Sequence, residues 1–452
     1  MAVWSLIKKS ELEGSNRLDP ECYQPIFIET YQMIDRISKN CFLGEIMYSF
    51  GSGRNLEQEE LTADNIPFVR TQNVRPILIS DSGMSAISKH NKSAILLNTG
   101  DILSVRVGEG VGNCSVVTPN YNNSAFSDNV IRFKVKKINP FYLITYLNSK
   151  YGELVWKKVS KGTARSLVSK ENYQLIKLPV LSDKVQNLCN KLIIEATFAL
   201  QESRSLYSQA EQILLEELRL KDLDLKDDLF CTMTLKEVKD NNRMDTEYYI
   251  PKYEKLMEHI FNFEHIPLGK LAKFKKGVEP GSDKYFKTGK PFLRVSNLSK
   301  FEIINNNQKY LENNLYMQLK KSYEPKKGEI LLSKDATPGV AYVLKESVEG
   351  IISSGILRLE VASSIKNEYL ALVINSQVGQ MQMKRDSGGS IINHWKIDQI
   401  KNLEIPLLTH DTQKKIENLC CESFLKRKKA KQLLEKAKHK VEEMIEKEAG
   451  TK

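Results

Sequence analysis

Two long segments of the chain carry apolar residues at three- and four-residue spacing, which is the pattern of an amphipathic helix. They run over residues 183–220 and 411–448, and neither contains proline or glycine. At 1.5 Å per residue, each would form a helix about 55 Å long. A single apolar stripe on each helix must be covered. We therefore predict that the two helices pair as an antiparallel coiled coil, with two independently docked helices as the alternative.

The remainder of the chain has a different pattern. Over residues 43–179, short runs rich in β-branched residues alternate with Gly, Asn, Pro and Asp before a helical stretch, and the same order returns over residues 268–406. Such a mixture predicts α+β domains with mainly antiparallel sheets. Gly100 and Gly328 each stand before an acidic residue and an apolar run, as expected where a turn leads into a strand.

The two halves of the chain, including the residues before these segments, are copies of one another. Arg17-Leu18-Asp19 returns as Arg243-Met244-Asp245, PFVRTQNV from Pro67 returns as PFLRVSNL from Pro291, and the other matches lie at similar separations of about 224 to 228 residues. This period far exceeds that of a solenoid repeat. We predict two tandem-duplicated α/β domains separated by the helix pair, in a pseudo-two-fold body. The predicted boundaries are 1–180 for the first domain, 181–225 for a central helix, 226–407 for the second domain and 408–452 for a C-terminal helix.

Charge and composition narrow the choice of partner. The 452 residues include 67 Lys and Arg against 56 Asp and Glu, a net charge of +11, which favours nucleic acid or another anionic surface. A basic protein without such a partner is the alternative. No apolar run approaches the roughly 20 residues that span a bilayer, so no membrane partner is expected. The N-terminus lacks signal-peptide features, and the seven scattered cysteines are expected to be reduced thiols in a cytoplasmic protein.

The duplicated order resembles that of one protein family. Each copy has a GDIL or GEIL strand, a Gly-Ser or Gly-Thr segment (KGTARSLVSK from Lys161, SGGSIINHWK from Ser387), an apolar run ending in proline, and a long helix. From about Ile7 to Glu448 the chain resembles the specificity (S) subunit of a type I restriction–modification system. The resemblance implies a protein without catalytic activity that binds double-stranded DNA, with one half-site per target-recognition domain. It also implies helices that hold two methyltransferase (M) subunits, to which two restriction/translocase (R) subunits can be added.

The sequence lacks the motifs of a DNA methyltransferase, a phosphate-binding loop and a zinc site. We therefore expect a protein with no catalytic function, cofactor or metal. A DNA methyltransferase needs a glycine-rich cofactor loop and a D/N-P-P-F/Y motif. The nearest strings are Phe50-Gly51-Ser52-Gly53 and Asn139-Pro140-Phe141-Tyr142, which a turn and a helix start explain. No phosphate-binding loop or zinc spacing occurs. A free-standing DNA-binding regulator remains an alternative, and a structural coiled-coil protein would leave the basic domains unexplained.

Basic and amide side chains on the loops are the expected DNA contacts. Arg, Asn and Gln can recognise base edges, whereas Lys, Ser and Thr are better suited to phosphate. The candidates in the first copy are Arg70, Gln72, Asn73, Arg106, Lys161, Thr163, Arg165 and Ser166. The candidates in the second copy are Arg294, Ser296, Asn297, Lys334, Ser387, Ser390, Asn393, His394 and Lys396.

The two copies agree in their strand and turn residues but differ in their loops. We therefore expect each domain to recognise a different sequence, which gives an asymmetric bipartite target. Arg70 and Arg294 carry a second interpretation, because a residue repeated in both copies can belong to the scaffold rather than contact DNA.

Overall fold

A computed structural model describes residues 6–8, 20–62, 64–106, 110, 112–160, 169–225, 232–241, 243–305, 307–387 and 394–450. The chain divides into two compact units, Met1–Gln201 with Arg427–Lys452 and Glu202–Lys426. Both units mix helices with sheets, so the mixed α and β class is confirmed. None of the helices in the described ranges is long and apolar enough to cross a membrane.

The first unit contains short strands followed by helices. In chain order its elements are α1 (Pro25–Arg36), β1 (Asn40–Phe42), α2 (Leu43–Ile46), β2 (Met47–Ser52), β3 (Asn65–Val69), β4 (Ile77–Leu78), β5 (Ser85–Ser88), β6 (Ile102–Val105), β7 (Cys114–Val116), β8 (Ala125–Phe126), β9 (Val130–Val135), α3 (Pro140–Leu147), α4 (Lys150–Val159), α5 (Lys170–Gln174), β10 (Lys177–Pro179) and the first part of α6 (Asp183–Glu217).

The strands of the first unit form three sheets. The orders are β2-β9-β6-β7-β4, β5-β3-β8 and β1-β10. Neighbours are antiparallel except in the pairs β4·β7 and β3·β8, so the expectation of mainly antiparallel sheets holds.

The second unit has a similar order of elements. They are α7 (Leu235–Asn241), α8 (Pro251–Phe261), β11 (His265–Pro267), α9 (Leu268–Leu271), β12 (Ala272–Lys276), β13 (Lys290–Leu293), β14 (Lys309–Leu311), α10 (Asn313–Tyr323), β15 (Ile330–Ser333), β16 (Ala341–Val343), β17 (Ile351–Ile352), β18 (Ile356–Val361), α11 (Asn367–Asn375), α12 (Gln377–Asp386), α13 (Ile397–Lys401), β19 (Glu404–Pro406) and the first part of α14 (His410–Glu448). Helix α10 has no counterpart among the described residues of the first unit.

The sheets of the second unit have corresponding strand orders. They are β12-β18-β15-β16, β14-β13-β17 and β11-β19. Strands β12, β18, β15 and β16 occupy the places that β2, β9, β6 and β7 occupy in the first unit, and β13 pairs in parallel with β17 as β3 does with β8. At the entry to β6 and β15, Gly100 and Gly328 both have φ of +91°, a conformation that glycine adopts without the strain of a Cβ atom.

The two predicted long helices are confirmed as α6 and α14. In the first unit, Ala196 and Ala199 of α6 cluster with Ala430 of α14, and these small side chains let the helix backbones approach closely. In the second unit, the Ser203 and Ser423 hydroxyl oxygens lie 3.1 Å apart in a buried contact. Earlier in α6 of the first unit, Cys189 belongs to the same cluster as Val441 and Ile445, which come later in α14 than Ala430. Later in α6 of the second unit, Ala210 belongs to the same cluster as Ile416, which comes earlier in α14 than Ser423. The helices therefore run antiparallel within each unit.

The end of each long helix also completes a core. Val441, Ile445 and Ala449 of α14 belong to the main apolar cluster of the first unit. Ala210 and Leu214 of α6 belong to that of the second unit. The core of the first unit therefore includes side chains of α14, which follows the second copy. The core of the second unit includes side chains of α6, which follows the first copy.

A buried ion pair in the second unit links strand β18 to Glu329, the residue directly before strand β15. The Arg358 guanidinium donates to both Glu329 carboxylate oxygens at 2.8 Å, and the two side chains are 3% and 8% exposed. In the first unit, Asp101 takes the corresponding place, 3.3 Å from the Lys134 ammonium. The fork of Arg358 satisfies both carboxylate oxygens, which is the geometry that a desolvated pair needs.

Replacing Ile445 tests the contribution of α14 to the first core. Ile445→Ala should destabilise the first unit by roughly 2–5 kcal/mol, because it opens a cavity at a fully buried position. The matched control is Lys447→Ala at an exposed position of the same helix turn. Thermal unfolding with hydrogen exchange of each unit measures both effects, and equal stability of the two variants would contradict this account of the core.

Candidate nucleic-acid interface

The turn that follows β3 is held by a buried asparagine. Asn73 is fully buried, and its side-chain carbonyl accepts a hydrogen bond of 3.0 Å from the Arg70 backbone N–H. Its amide group donates to the backbone carbonyls of Ser80 at 3.0 Å and Ser82 at 3.1 Å. The Asn73 side chain thus connects the turn to the loop that contains Ser80 and Ser82.

The turn that follows β13 is built in the same way. Asn297 is 1% exposed, accepts from the Arg294 backbone N–H at 3.1 Å and donates to the Ile304 carbonyl at 2.9 Å. In this conformation neither Asn73 nor Asn297 presents its side chain at the surface. Both asparagines stabilise the loops of this interface.

The arginine before each turn also contacts its own loop. Arg70 donates from Nη2 to the Gly83 carbonyl at 3.0 Å, and Arg294 donates from Nη2 to the Asn307 carbonyl at 2.6 Å, each thirteen residues further along the chain. Gln72 and Ser296 are exposed beside them, and Gln72 Nε2 donates to Gly83 as well. Gln72 and Ser296 are therefore the side chains of these turns that are most open to a partner.

A second group of candidates lies where β6 and β15 end. Arg106 is exposed after β6. After β15, Lys334 Nζ lies 2.6 Å from Asp335 Oδ2, and His394 Nδ1 lies 2.8 Å from Asp335 Oδ1. Burial tends to raise the pKa of Asp335, but the hydrogen bonds from Lys334 and His394 outweigh it and hold that pKa below its ordinary value.

Gly355 brings this ionic group close to the turn after β13. A Cβ atom at Gly355 would lie 2.8 Å from Val295 Cγ2 and 3.5 Å from Asp335 Oδ2. Val295 belongs to the same turn as Ser296, so two candidate groups that are far apart in sequence form one surface region of the second unit.

The Gly-Ser and Gly-Thr segments are only partly described. Lys161, Thr163, Arg165, Ser166, Ser390 and Asn393 lie outside the described residues. Ser387 follows α12, with its backbone N–H bonded to the Met383 carbonyl at 2.8 Å. Lys396 is exposed and stands directly before α13, with its backbone N–H bonded to Gln399 Oε1 at 3.0 Å.

The repeated Arg-x-Asp motif has a structural role that sequence reasoning missed. Arg243 donates from Nη1 to the Asp386 carbonyl at 2.9 Å and from Nε to Asp245 at 2.9 Å. Gln399 donates to the same Asp386 carbonyl at 2.6 Å. The motif therefore anchors the end of α12, next to Ser387; its first copy, residues 17–19, lies outside the described residues.

The two strings closest to methyltransferase motifs have ordinary structural roles. Phe50, Gly51 and Ser52 lie in β2, paired with β9. Asn139 caps α3, where its side chain accepts a hydrogen bond of 2.9 Å from the Phe141 backbone N–H. The helix start predicted at Asn139 is confirmed. The turn predicted at Phe50–Gly53 is wrong, because pairing with β9 keeps Phe50, Gly51 and Ser52 in an extended strand.

Comparison with protein families identifies the second half of the chain. Residues 260–419 match the family described as type I restriction modification DNA specificity domain. The chain carries a type I restriction–modification DNA specificity domain. The resemblance to the specificity subunit is thereby confirmed, and the matched family is one of DNA specificity rather than of a catalytic domain.

Three solved structures are similar to most of the chain. The S subunit of a type I system from M. genitalium is 13% identical, with 91% of this chain and 96% of that chain covered and a TM-score of 0.38. The HsdS subunit from Thermoanaerobacter tengcongensis is 13% identical, with 89% and 95% covered and a TM-score of 0.27. A chain from a study of complex assembly in the type I R-M system is 15% identical, with 91% and 97% covered and a TM-score of 0.28. No curated protein matches the chain.

All candidate residues of the second copy fall inside the specificity domain. They are Arg294, Ser296, Asn297, Lys334, Ser387, Ser390, Asn393, His394 and Lys396. The domain thus combines a buried anchor, Asn297, with the exposed side chain of Ser296 on the same turn.

Asn297→Ala tests the anchoring of the specificity domain's loop. The change leaves the Arg294 N–H and the Ile304 carbonyl without their partner, and we expect a loss of about 1–3 kcal/mol in the stability of the second unit. Ser296→Ala, at the exposed neighbour, should stay within about 0.5 kcal/mol of the original chain. Thermal unfolding combined with hydrogen exchange of residues 294–305 measures both. Similar values for the two variants would rule out the anchoring role.

Proposed function

We propose that the chain is the DNA sequence-specificity subunit of a type I restriction–modification enzyme, without catalytic activity of its own. It recognises an asymmetric bipartite target in double-stranded DNA, with one half-site for each target-recognition domain. The proposed domains are residues 1–180 and 226–407, with the connecting helices at 181–225 and 408–452.

The observation that carries this proposal is the matched construction of the two interfaces. Asn73 and Asn297 hold equivalent turns, and Arg70 and Arg294 hold equivalent loops at the same spacing. The exposed residues of the two turns differ, since Gln72 in one corresponds to Ser296 in the other. A common scaffold with different exposed side chains is what two half-sites of different sequence require, because base edges are distinguished by individual donors and acceptors.

The long helices supply the second part of the proposal. Helices α6 and α14 form a coiled-coil spacer between the two recognition domains and dock two methyltransferase (M) subunits, to which two restriction/translocase (R) subunits can be added. Antiparallel packing within each unit supports a rigid spacer, and the length of the helices would set the gap between half-sites. The assembly would act in the cytoplasm, where its DNA target lies.

Exchange of one recognition block tests the proposal. Residues 43–179 would be replaced by the equivalent block of a related specificity subunit, and the chain expressed with its methyltransferase subunits. Methylome sequencing should show one half of the methylated sequence changed and the other half, the internal control, unaltered. Changes in both halves would reject independent recognition domains. Specific DNA binding without any methyltransferase subunit would favour a free-standing regulator.

Salt dependence distinguishes phosphate contacts from base contacts. Lys396→Ala should weaken binding on all sequences alike and reduce the slope of log affinity against log salt by about 1, because one phosphate contact is lost. Lys236→Ala removes the same charge at an exposed position of α7, outside the candidate DNA contacts and the docking helices, and serves as the control. DNA binding of the assembled enzyme, measured between low and physiological salt, gives both slopes. A changed base preference in Lys396→Ala would instead assign this lysine to base recognition.

A further inference from the structure

The ionic group after β15 differs in kind from the anchors described above. Lys334, Asp335 and His394 share hydrogen bonds through the two oxygens of Asp335, although 59 residues separate Asp335 from His394. The His394 side chain is 61% exposed, whereas those of Lys334 and Asp335 are 13% and 24% exposed. The imidazole is thus the outermost member of the group.

Backbone hydrogen bonds connect the segments that carry this group. The Trp395 N–H donates to the Lys334 carbonyl at 2.8 Å, and the Lys334 N–H donates to the Gly355 carbonyl at 2.9 Å. Asp335 and His394 form an antiparallel bridge, and the adjacent Trp395 is 1% exposed. A recognition side chain supported in this way keeps its geometry before any ligand arrives.

The group belongs to the second copy alone. Asp335 lies seven residues after Gly328, and the equivalent position in the first copy, seven residues after Gly100, is Val107. His394 lies twelve residues before Pro406, and the equivalent position in the first copy, twelve residues before Pro179, is Leu167. The anchoring residues Arg294 and Asn297, by contrast, are repeated as Arg70 and Asn73. A polar group present in one copy only is suited to sequence recognition rather than to a shared scaffold.

The hydrogen bonds also determine what His394 can offer. The lowered pKa of Asp335 keeps it a carboxylate that accepts hydrogen bonds, so Nδ1 of His394 must carry a proton. In the neutral imidazole, Nε2 is then an acceptor. In the major groove, the complementary donors are the exocyclic amino groups of adenine and cytosine.

We infer that His394, oriented by Asp335, is a specificity-determining residue of the second recognition domain and accepts a hydrogen bond at Nε2 from an adenine or cytosine amino group. Asp335 is a positioning residue, because it acts through the imidazole. This inference rests on the proposed function, and it assigns one base pair of the second half-site to one side chain.

The test uses the full chain assembled with its methyltransferase subunits and a library of DNA targets, read by methylation. His394→Ala should lower discrimination at one base pair of the second half-site by roughly ten-fold, with the first half-site unchanged. Asp335→Asn should change the preferred base at the same position, because the amide no longer imposes one tautomer. If Asp335 had a purely structural role, Asp335→Asn would not change the preferred base at that one position.

Two controls separate the possible failures. Lys401→Ala, at an exposed position of α13 that is not a candidate DNA contact, should leave base preference intact. Uniform weakening on all sequences by His394→Ala would mean a phosphate contact and would overturn the inference, as would unchanged discrimination. If the unaltered chain does not direct methylation to a bipartite sequence at all, the proposed function fails instead.

Discussion

The packing of α6 against α14 is the constraint on which the rest of the structure depends. Each helix has one apolar stripe that water would otherwise contact, and each unit's core is incomplete without it. Val441 and Ile445 complete the first core, and Ala210 and Leu214 complete the second. The C-terminal part of α14 therefore completes the core of the first unit, and the C-terminal part of α6 completes the core of the second unit. Burial of these side chains couples the folding of residues that lie more than 200 positions apart in the chain.

The interface separates support from recognition. Buried asparagines and backbone-bonded arginines recur in both units, with backbone partners at equivalent positions, so the loops have a common construction. Exposed side chains on those loops differ between the units. Such a division lets a loop residue change without loss of the fold, because the cost of an exposed substitution is small whereas an unpaired buried amide is expensive.

Electrostatics follows the same division. The Arg358–Glu329 pair is buried, and the guanidinium donates a hydrogen bond to each oxygen of the carboxylate. The Asp335 carboxylate is also bonded on both oxygens, but one of its partners is a mostly exposed imidazole. The first arrangement belongs to the sheet. The second presents a hydrogen-bonding atom to the surroundings, which is why we assign recognition to it.

Local patterns in the sequence determined much of the fold. The spacing of apolar residues predicted α6 and α14, the glycines at 100 and 328 marked the entry to equivalent strands, and Asn139 before Pro140 marked a helix start. These features depend on neighbouring residues, so periodicity and capping chemistry suffice to predict them. The duplication and its resemblance to specificity subunits also came from residue order alone.

Contacts between distant segments were decided only by the tertiary structure. Asn73 and Asn297 were predicted as DNA contacts because asparagine has suitable donors and acceptors, but folding buries both against their own loops. Nothing in the sequence predicted that Arg243 bonds to Asp386 or that Asp335 bonds to His394. A sequence shows which groups a side chain carries. Which of those groups are already bonded depends on segments that the fold brings together from far along the chain.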